Sequence, residues 1–202
     1  GGAPQDYRYK DEQSFLVIGD GNILRECVTI HRASGEGETT TIGDNNMLMA
    51  YCHIGHNCML GSGITMANAV GISGHVVVED KVVFGGIVGV HQKVRIGKLA
   101  MVGGFSKVVQ DVPPFVIVDG HPAKVRGLNN VGMSRAGLSE VARRNLKKGF
   151  KYLYRSGYSL TQAIDVMEQE LESCEEVEHF LRFLRNAERG ICRGGRRDTT
   201  EE

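Results

Sequence analysis

Every sixth residue from Ile42 to Val108 is bulky and apolar: Ile42, Leu48, Ile54, Leu60, Met66, Ile72, Val78, Phe84, Val90, Ile96, Val102 and Val108. In a chain that is 41% hydrophobic, such a run arises by chance on the order of once in 50,000 trials. The frame reaches back through Ile18, Leu24 and Ile30. A six-residue aliphatic period is the mark of stacked parallel strands. Each hexad supplies a short strand and a turn, and three hexads close a triangular coil. Residues about 18 apart then fall in register on neighbouring coils. The predicted fold is mainly β: a left-handed parallel β-helix of hexapeptide repeats, followed by a small C-terminal α-helical domain. Glycine follows the apolar residue at Gly43, Gly55, Gly61, Gly85, Gly97 and Gly103. These glycines are expected to supply the left-handed backbone values of tight corners.

The pattern divides the chain. Residues 1–113 form the repeat region, interrupted at 31–41 (HRASGEGETTT), where Glu36 takes the apolar position. That stretch predicts a loop projecting from a corner. Residues 114–138, punctuated by Pro114, Gly120, Pro122, Gly127, Gly132 and Gly137, are expected to be an irregular connection. Over 139–190 the period becomes helical. Ser139 is the expected N-cap of a helix to about Arg155, with Val141, Leu146, Phe150, Leu153 and Tyr154 as its apolar positions. Ser159–Gln162 and Ser173–Glu176 read as capping boxes of two more helices, the last presenting Val177, Phe180, Leu181 and Leu184. These helices are expected to cover the open end of the coil, and the tail, 191–202, is expected to be disordered.

Composition excludes some partners. Lys+Arg and Asp+Glu balance at 24 each, so bulk charge makes no case for nucleic acid. No apolar run approaches a membrane span and no secretory signal opens the chain. The chain opens on Gly1-Gly2 with the hexad frame soon under way, which suggests that preceding coils were removed. Five cysteines, odd in number and irregularly spaced, point to free thiols in a reducing compartment.

The chemistry centres on histidine. His56, Gly74-His75 and His91-Gln92 lie within one residue of the 18-residue register, and His53 precedes His56 by three. A column of imidazoles on rigid coils suits general base chemistry, because histidine titrates near neutrality. Cys52-His53-x-x-His56-x-Cys58 also resembles a zinc ligand set. Yet Cys52 and Cys58 are one hexad apart and would point into different corners, where small cysteine is an ordinary interior filler. A single corner histidine is more often structural, and only the clustering argues otherwise.

His53-Ile54-Gly55-His56-Asn57-Cys58, Ser73-Gly74-His75-Val76, Val90-His91-Gln92, Met101-Val102-Gly103-Gly104 and Gln110-Asp111-Val112-Pro113-Pro114 together resemble the UDP-N-acetylglucosamine O-acyltransferases of lipid A synthesis. Pro4-Gln5-Asp6-Tyr7-Arg8-Tyr9, the stretch Arg25–Arg32 and the helical region through Gly157 fit the same pattern. The resemblance runs to about Arg193. It implies transfer of a 3-hydroxyacyl chain from acyl carrier protein to the glucosamine 3-hydroxyl of UDP-N-acetylglucosamine, with no cofactor and no metal. Carried over by motif, His56 is the general base and the Gly74 N–H the oxyanion donor. His53, His75, His91 and Gln92 position substrate. Asp6 and Arg8 contact the nucleotide sugar, and Asn129 and Arg135 lie near uridine and phosphates. Gly104 and Met101 belong to an acyl groove that glycine leaves long. The resemblance also implies a homotrimer, whose packing surface flat β-helix faces would offer, and a bacterial cytoplasm, or an organelle in a plant.

Two positions depart from the family pattern. Asn57 stands where aspartate is common, and Val131 where some members are acidic. Arg143, Lys147, Lys151 and Arg155 recur every four residues with no acidic residue between Val141 and Arg155. They form one basic helix face, either a solvated face or a docking stripe for the acidic carrier protein. Alternatives remain: the related N-acyltransferase on UDP-3-O-acyl-glucosamine, an acetyltransferase using acetyl-CoA, a zinc-binding β-helix carbonic anhydrase, or a scaffold without substrate.

Overall fold

The computed structural model describes residues 1–194. The hexads build a parallel β-solenoid with three sheets. Sheet I stacks Phe15–Ile18, Thr39–Ile42, Met59–Leu60, Val77–Val78 and Arg95–Ile96. Sheet II stacks Ile23–Leu24, Met47–Leu48, Thr65–Met66, Val83–Phe84, Met101–Val102, Val116–Gly120 and Ala123–Leu128. Sheet III stacks Thr29–Ile30, His53–Ile54, Gly71–Ile72, Gly89–Val90 and Lys107–Val108. Register follows the period: Ile42 pairs Leu60, Leu48 pairs Met66 and Ile54 pairs Ile72. Between the first two coils Ile18 pairs Ile42 and Ile30 pairs Ile54. One hexad more intervenes there, and it is the interruption seen in the sequence. Its loop is shorter than expected, because Thr39–Ile42 is already strand.

The interior has two residues per hexad, of which the period reveals one. The second lies four positions on: Cys52, Cys58, Ile64, Val70, Val76, Val82, Val88, Val94 and Ala100, all buried. Burying each Val or Ile contributes about 1.5–3 kcal/mol.

The corner glycines do not serve as expected. Gly43, Gly55, Gly61, Gly85, Gly97 and Gly103 are absent from the positive-φ positions. A Cβ on Gly55 would sit 2.8 Å from Gly74 N, one on Gly85 2.5 Å from Gly104 N and one on Gly97 2.4 Å from Pro114 N. These glycines let one coil lie directly on the next. The left-handed residue is the third after the apolar position, and only at Gly63 is it glycine between Asn45 and Phe105. Asn57, His75, Ile87, Lys93 and Phe105 take it at φ between 56° and 62°. Such backbone costs a bulky L-residue on the order of 1 kcal/mol, and the stacked coils enforce it.

Residues 114–138 are more ordered than expected. Val116–Gly120 stacks on Met101–Val102 and pairs antiparallel with Ala123–Leu128. Helix α1, Asn130–Arg135, follows. This hairpin, rather than the helices alone, covers the open end of sheet II. The chain's return completes the cover: Asp111 bridges Ile191, and Val125 bridges Gly194. Residues 191–194 are therefore paired, against expectation, and the rest of the expected tail lies outside the described residues.

Helix α2 is Glu140–Arg155, and the Ser139 side chain accepts from Ala142 N at 3.1 Å. Helix α3, Leu160–Glu170, opens on the Ser159–Gln162 capping box. Helix α4, Glu175–Arg185, starts at Cys174 without a side-chain cap, and Ser173 Oγ bonds Glu178 instead of completing the expected box. Leu146, Met167, Phe180 and Leu184 form their core with Leu99 and Phe115 from the coil side and Met133 from α1. Val141, read as apolar-face, is exposed. His179 Nε2 meets Glu79 at 2.7 Å, and Arg95 lies 4.5 Å over Phe183, which fastens α4 to the coil.

Candidate active site

Residues 55–58 turn the chain from sheet III to sheet I, and this edge carries the chemistry. His56 sits there 5% exposed. Its Nδ1 is 2.9 Å from Asn57 Oδ1. The Asn57 amide is oriented by backbone groups of the inserted loop: Oδ1 accepts from Ser34 N at 2.9 Å, and Nδ2 donates to Ser34 O at 3.0 Å. An amide oxygen only accepts, so Nδ1 carries the hydrogen and Nε2 the lone pair. Thr40, buried, accepts from Asn57 N at 2.8 Å and holds the backbone of the clamp.

Nε2 faces two groups. Asp6 Oδ2 lies 4.0 Å away, with its side chain 8% exposed. Asp6 is itself gripped by Arg8, whose Nε and Nη2 reach it at 3.2 and 3.0 Å and whose backbone N reaches it at 3.0 Å. These bonds push its carboxyl down to about 2. The other group is Gly74. A Cβ there would fall 2.5 Å from His56 Nε2 and 2.7 Å from Cε1, so the imidazole lies directly over the glycine. The Gly74 N–H has no acceptor among the described residues. A lone pair and an open backbone donor thus stand side by side, the pairing that hydroxyl attack on a carbonyl needs.

The histidines form pairs rather than a three-ring column. His75 is edge-on to His56, with centroids 5.1 Å apart, and its backbone N–H donates to His56 O. His53 bonds Thr29 Oγ1 through Nδ1 at 2.8 Å and is edge-on to His31 at 4.9 Å. His31, not singled out in the sequence, has a buried Nδ1 with no partner among the described residues. His91 is exposed, and its Nδ1 lies 3.2 Å from Gln92 O. The register of Gly71 with Gly89 puts His91 beside Ser73 and Gln92 beside Gly74. His91 is therefore one position out of the column. Burial is the main cause of the lowered pKa values of His53 and His75.

An open pocket of about 470 Å³ adjoins the pair, lined by Asp6, Arg8, Glu12, Ser34, Gly35, His75 and Lys93. Glu12, Ser34 and Lys93 were not read from the sequence. Ser34 and Gly35 lie in the hexad interruption, which was the available signal. Two cations and two carboxylates on its wall suit a polar, phosphorylated ligand.

Other candidates lie elsewhere. Asn129 is spent on structure: it caps α1 by accepting from Gly132 N and donates to Leu99 O, both at 2.9 Å. Leu99 belongs to the edge between sheets I and II, so Asn129 and the exposed Arg135 are not brought to His56 within one chain. Met101 is outward on sheet II, and Gly104 lies on the edge between sheets II and III. That edge is apolar and exposed, with Tyr51, Ile87 and Phe105 along it. Between it and the histidines, the outer face of sheet III is bare at Gly71 and Gly89. On α2 the four expected cations divide. Lys147, Lys151 and Arg155 line a second pocket, and Arg143 is half-buried outside it.

The zinc reading fails on geometry. Cys52 Sγ faces Ala67 O at 3.1 Å and Cys58 Sγ faces Ser73 O at 3.0 Å, on different edges of the prism. Burial raises both thiols, Cys58 to about 11. Among the described residues no three His, Cys, Asp or Glu converge as metal ligands.

Hexad coils of this kind are shared with the hexapeptide-repeat transferases. Residues 39–74 match the bacterial transferase hexapeptide (six repeats) family. Residues 111–192 match the second domain of UDP-N-acetylglucosamine O-acyltransferase. A relative from Gloeothece citriformis named acyl-[acyl-carrier-protein]–UDP-N-acetylglucosamine O-acyltransferase is 46% identical over 91% of this chain and 66% of its own length. One of the same name from Anaeromyxobacter sp. (strain K) is 45% identical over 96% of this chain and 76% of its own. The crystal structure of the UDP-N-acetylglucosamine O-acyltransferase from Moraxella catarrhalis superposes with a TM-score of 0.91 at 39% identity, covering 96% of this chain and 76% of that one. The chain belongs to the UDP-N-acetylglucosamine O-acyltransferase family.

Proposed function

We propose that the protein transfers a 3-hydroxyacyl chain from acyl carrier protein to the 3-hydroxyl of UDP-N-acetylglucosamine, the first step of lipid A synthesis. The observation that carries this reading is the His56 Nε2 lone pair beside the unengaged Gly74 N–H. Nε2 takes the hydroxyl proton as the sugar oxygen attacks the thioester carbonyl. The Gly74 N–H donates to the oxyanion. On collapse the thiolate leaves with the proton from His56, and no cofactor or metal is needed. Asn57 fixes the tautomer but brings no charge, and the Asp6 carboxylate lies 4.0 Å from Nε2. Arg8, His53, His75, His91 and Gln92 hold the acceptor and the thioester. The acyl chain follows the bare face of sheet III towards Gly104 and Met101.

The active unit is a homotrimer. Asn129 and Arg135 lie on a different edge from His56, so a role in nucleotide contact requires a neighbouring chain. The exposed apolar edge gives that neighbour a surface. Acyl carrier protein docks on Arg143, Lys147, Lys151 and Arg155. Among the described residues no helix is long and apolar enough to cross a membrane. The five unpaired cysteines support a cytoplasmic setting.

The test is to mix the protein with UDP-N-acetylglucosamine and 3-hydroxyacyl carrier proteins of several lengths and follow product mass. An acylated nucleotide sugar is expected, and Gly104→Met should shorten the preferred chain. No acylated product with any length overturns the reading.

A further inference from the structure

The second pocket has a composition unlike the first. It encloses about 380 Å³ between the end of the sheet II hairpin and helix α2, and is lined by Gly127, Leu128, Asn130, Lys147, Phe150, Lys151 and Arg155. Three cations converge on it with no carboxylate. Among the described residues, none of the three has a carboxylate within 4.0 Å, the limit at which six other pairs are found. Spaced four apart on one helix, they repel one another, so the bare helix is slightly disfavoured and an anion between them is favoured. The floor is different. Phe150 is buried, with the Arg155 guanidinium 5.5 Å over its ring, and Leu128 packs against the coil core beside it. Gly127 leaves open space, with nothing within 4 Å of where its Cβ would be. Such a site presents a fork and two ammonium groups over an apolar wall.

We propose that this pocket binds a phosphate ester with a small organic arm, the phosphate on Lys147, Lys151 and Arg155 and the arm against Phe150 and Leu128. Its source is the acyl donor, whose thiol sits on a phosphopantetheine group. This assignment rests on the acyl-transfer reading above. The other phosphate source is the diphosphate of the nucleotide sugar, for which the Asp6–Arg8 pocket is the separate candidate seat; because Asn130, next to Asn129, lines the pocket beside α2, UDP is the arm of the test that separates the two sources. Docking on the basic face of α2 then has two parts: diffuse attraction of an acidic surface, and a defined seat for one phosphate.

The test is direct binding by calorimetry at low salt, which needs no turnover. 4′-Phosphopantetheine should bind about 5- to 10-fold more tightly than pantetheine, which lacks the phosphate. The double variant Lys151→Ala, Arg155→Ala should abolish that difference. Lys148→Ala, an exposed cation of the same helix that does not line the pocket, should preserve it. UDP binding should be unchanged in the double variant. Equal binding of the two pantetheines by the unmodified protein would overturn the proposal. So would a loss as large in Lys148→Ala, or a double variant that weakens UDP but leaves phosphopantetheine unaffected. Phosphate-dependent binding in a protein that makes no acylated product would leave the pocket standing and remove the acyl-transfer reading instead.

Discussion

Two edges of the same prism are built from the same hexad. On the edge between sheets III and I the left-handed residues are Asn57, His75 and Lys93; on the edge between sheets II and III they are Cys27, Tyr51, Ala69, Ile87 and Phe105. Backbone, register and stacking are the same, yet one edge collects a buried imidazole and an open amide, and the other presents Phe105 74% exposed. Coil geometry aims a side chain outward at each corner and fixes the spacing. What the edge does is decided by the side chains at and beside that corner, so function can be altered there without changing the inward residues of the coil.

That separation is broken most severely by His56→Ala. Turnover should fall about 10²–10⁴-fold, the usual loss on removing a general base, while thermal stability stays close to the parent's. A variant with near-parental kcat would show that the histidine edge is scaffold like any other. The apolar edge should answer to a different assay. Ile87→Asp with Phe105→Asp puts charge where a neighbouring chain would bury apolar surface, and should weaken assembly about 10²–10³-fold in sedimentation. An unchanged sedimentation coefficient would mean that this edge is not the contact.

Gly74→Ala tests how closely the chemistry is tied to stacking. The added Cβ would lie 2.5 Å from Nε2, so the ring must move, and a shift of about 1 Å typically costs about 10²-fold in kcat. Urea midpoints should change little by comparison. If kcat holds while stability collapses, the close approach serves the coil and not the base. Asn57→Gly is a milder probe. It keeps the left-handed backbone, removes the acceptor from Nδ1 and releases Ser34. The expected loss is about tenfold in kcat, with the 33–38 loop newly open to proteolysis. Full activity together with a protected loop would count against the clamp.

Much of this was legible in the sequence, for reasons that also explain the gaps. The hexad period reports burial directly, so Ile42 through Val108 located the strands and the register. Caps at Ser139 and at Ser159–Gln162 are local signals and were read correctly. Ser173 was not, because Glu178 competes for its hydroxyl. The second inward position hid in a mixture of Cys, Val, Ile and Ala. Glycine was assigned to corner φ because that is its common use, whereas here it makes room for the next coil. In 116–125, Val116, Val118, Ala123 and Val125 alternate as strands do, but Pro114, Gly120 and Pro122 masked the hairpin. His56 and Gly74 could be named from motif. The Asn57–Ser34 clamp could not, since it joins residues 23 apart across an insertion.

The smallest expected effect separates the edges by pH. Burial lowers the pKa of His75, and also of His53 and of His31 facing it, below the ordinary histidine value. The folded protein therefore resists protons that the unfolded chain accepts near pH 6.5. Stability contributed by these neutral rings is complete above about pH 6.5 and declines as pH falls through the folded values. Asp6 is shifted to about 2 from an ordinary 3.8, so its contribution persists above the ordinary value and is lost only in stronger acid. Between about pH 7 and pH 5 this edge should thus respond mainly through its histidines, with Asp111, whose carboxyl burial pushes up, joining them at the acid end. The apolar edge, with Tyr51, Ala69, Ile87 and Phe105, has nothing that titrates there. Urea midpoints taken at about pH 8, 6 and 5 should fall slightly with acid, and His75→Gln should make the fall shallower. Because these rings are partly open to solvent, the change should be small beside the kinetic effects above. A slope that His75→Gln leaves unaltered would take His75 out of the acid response and leave it to His53 and His31.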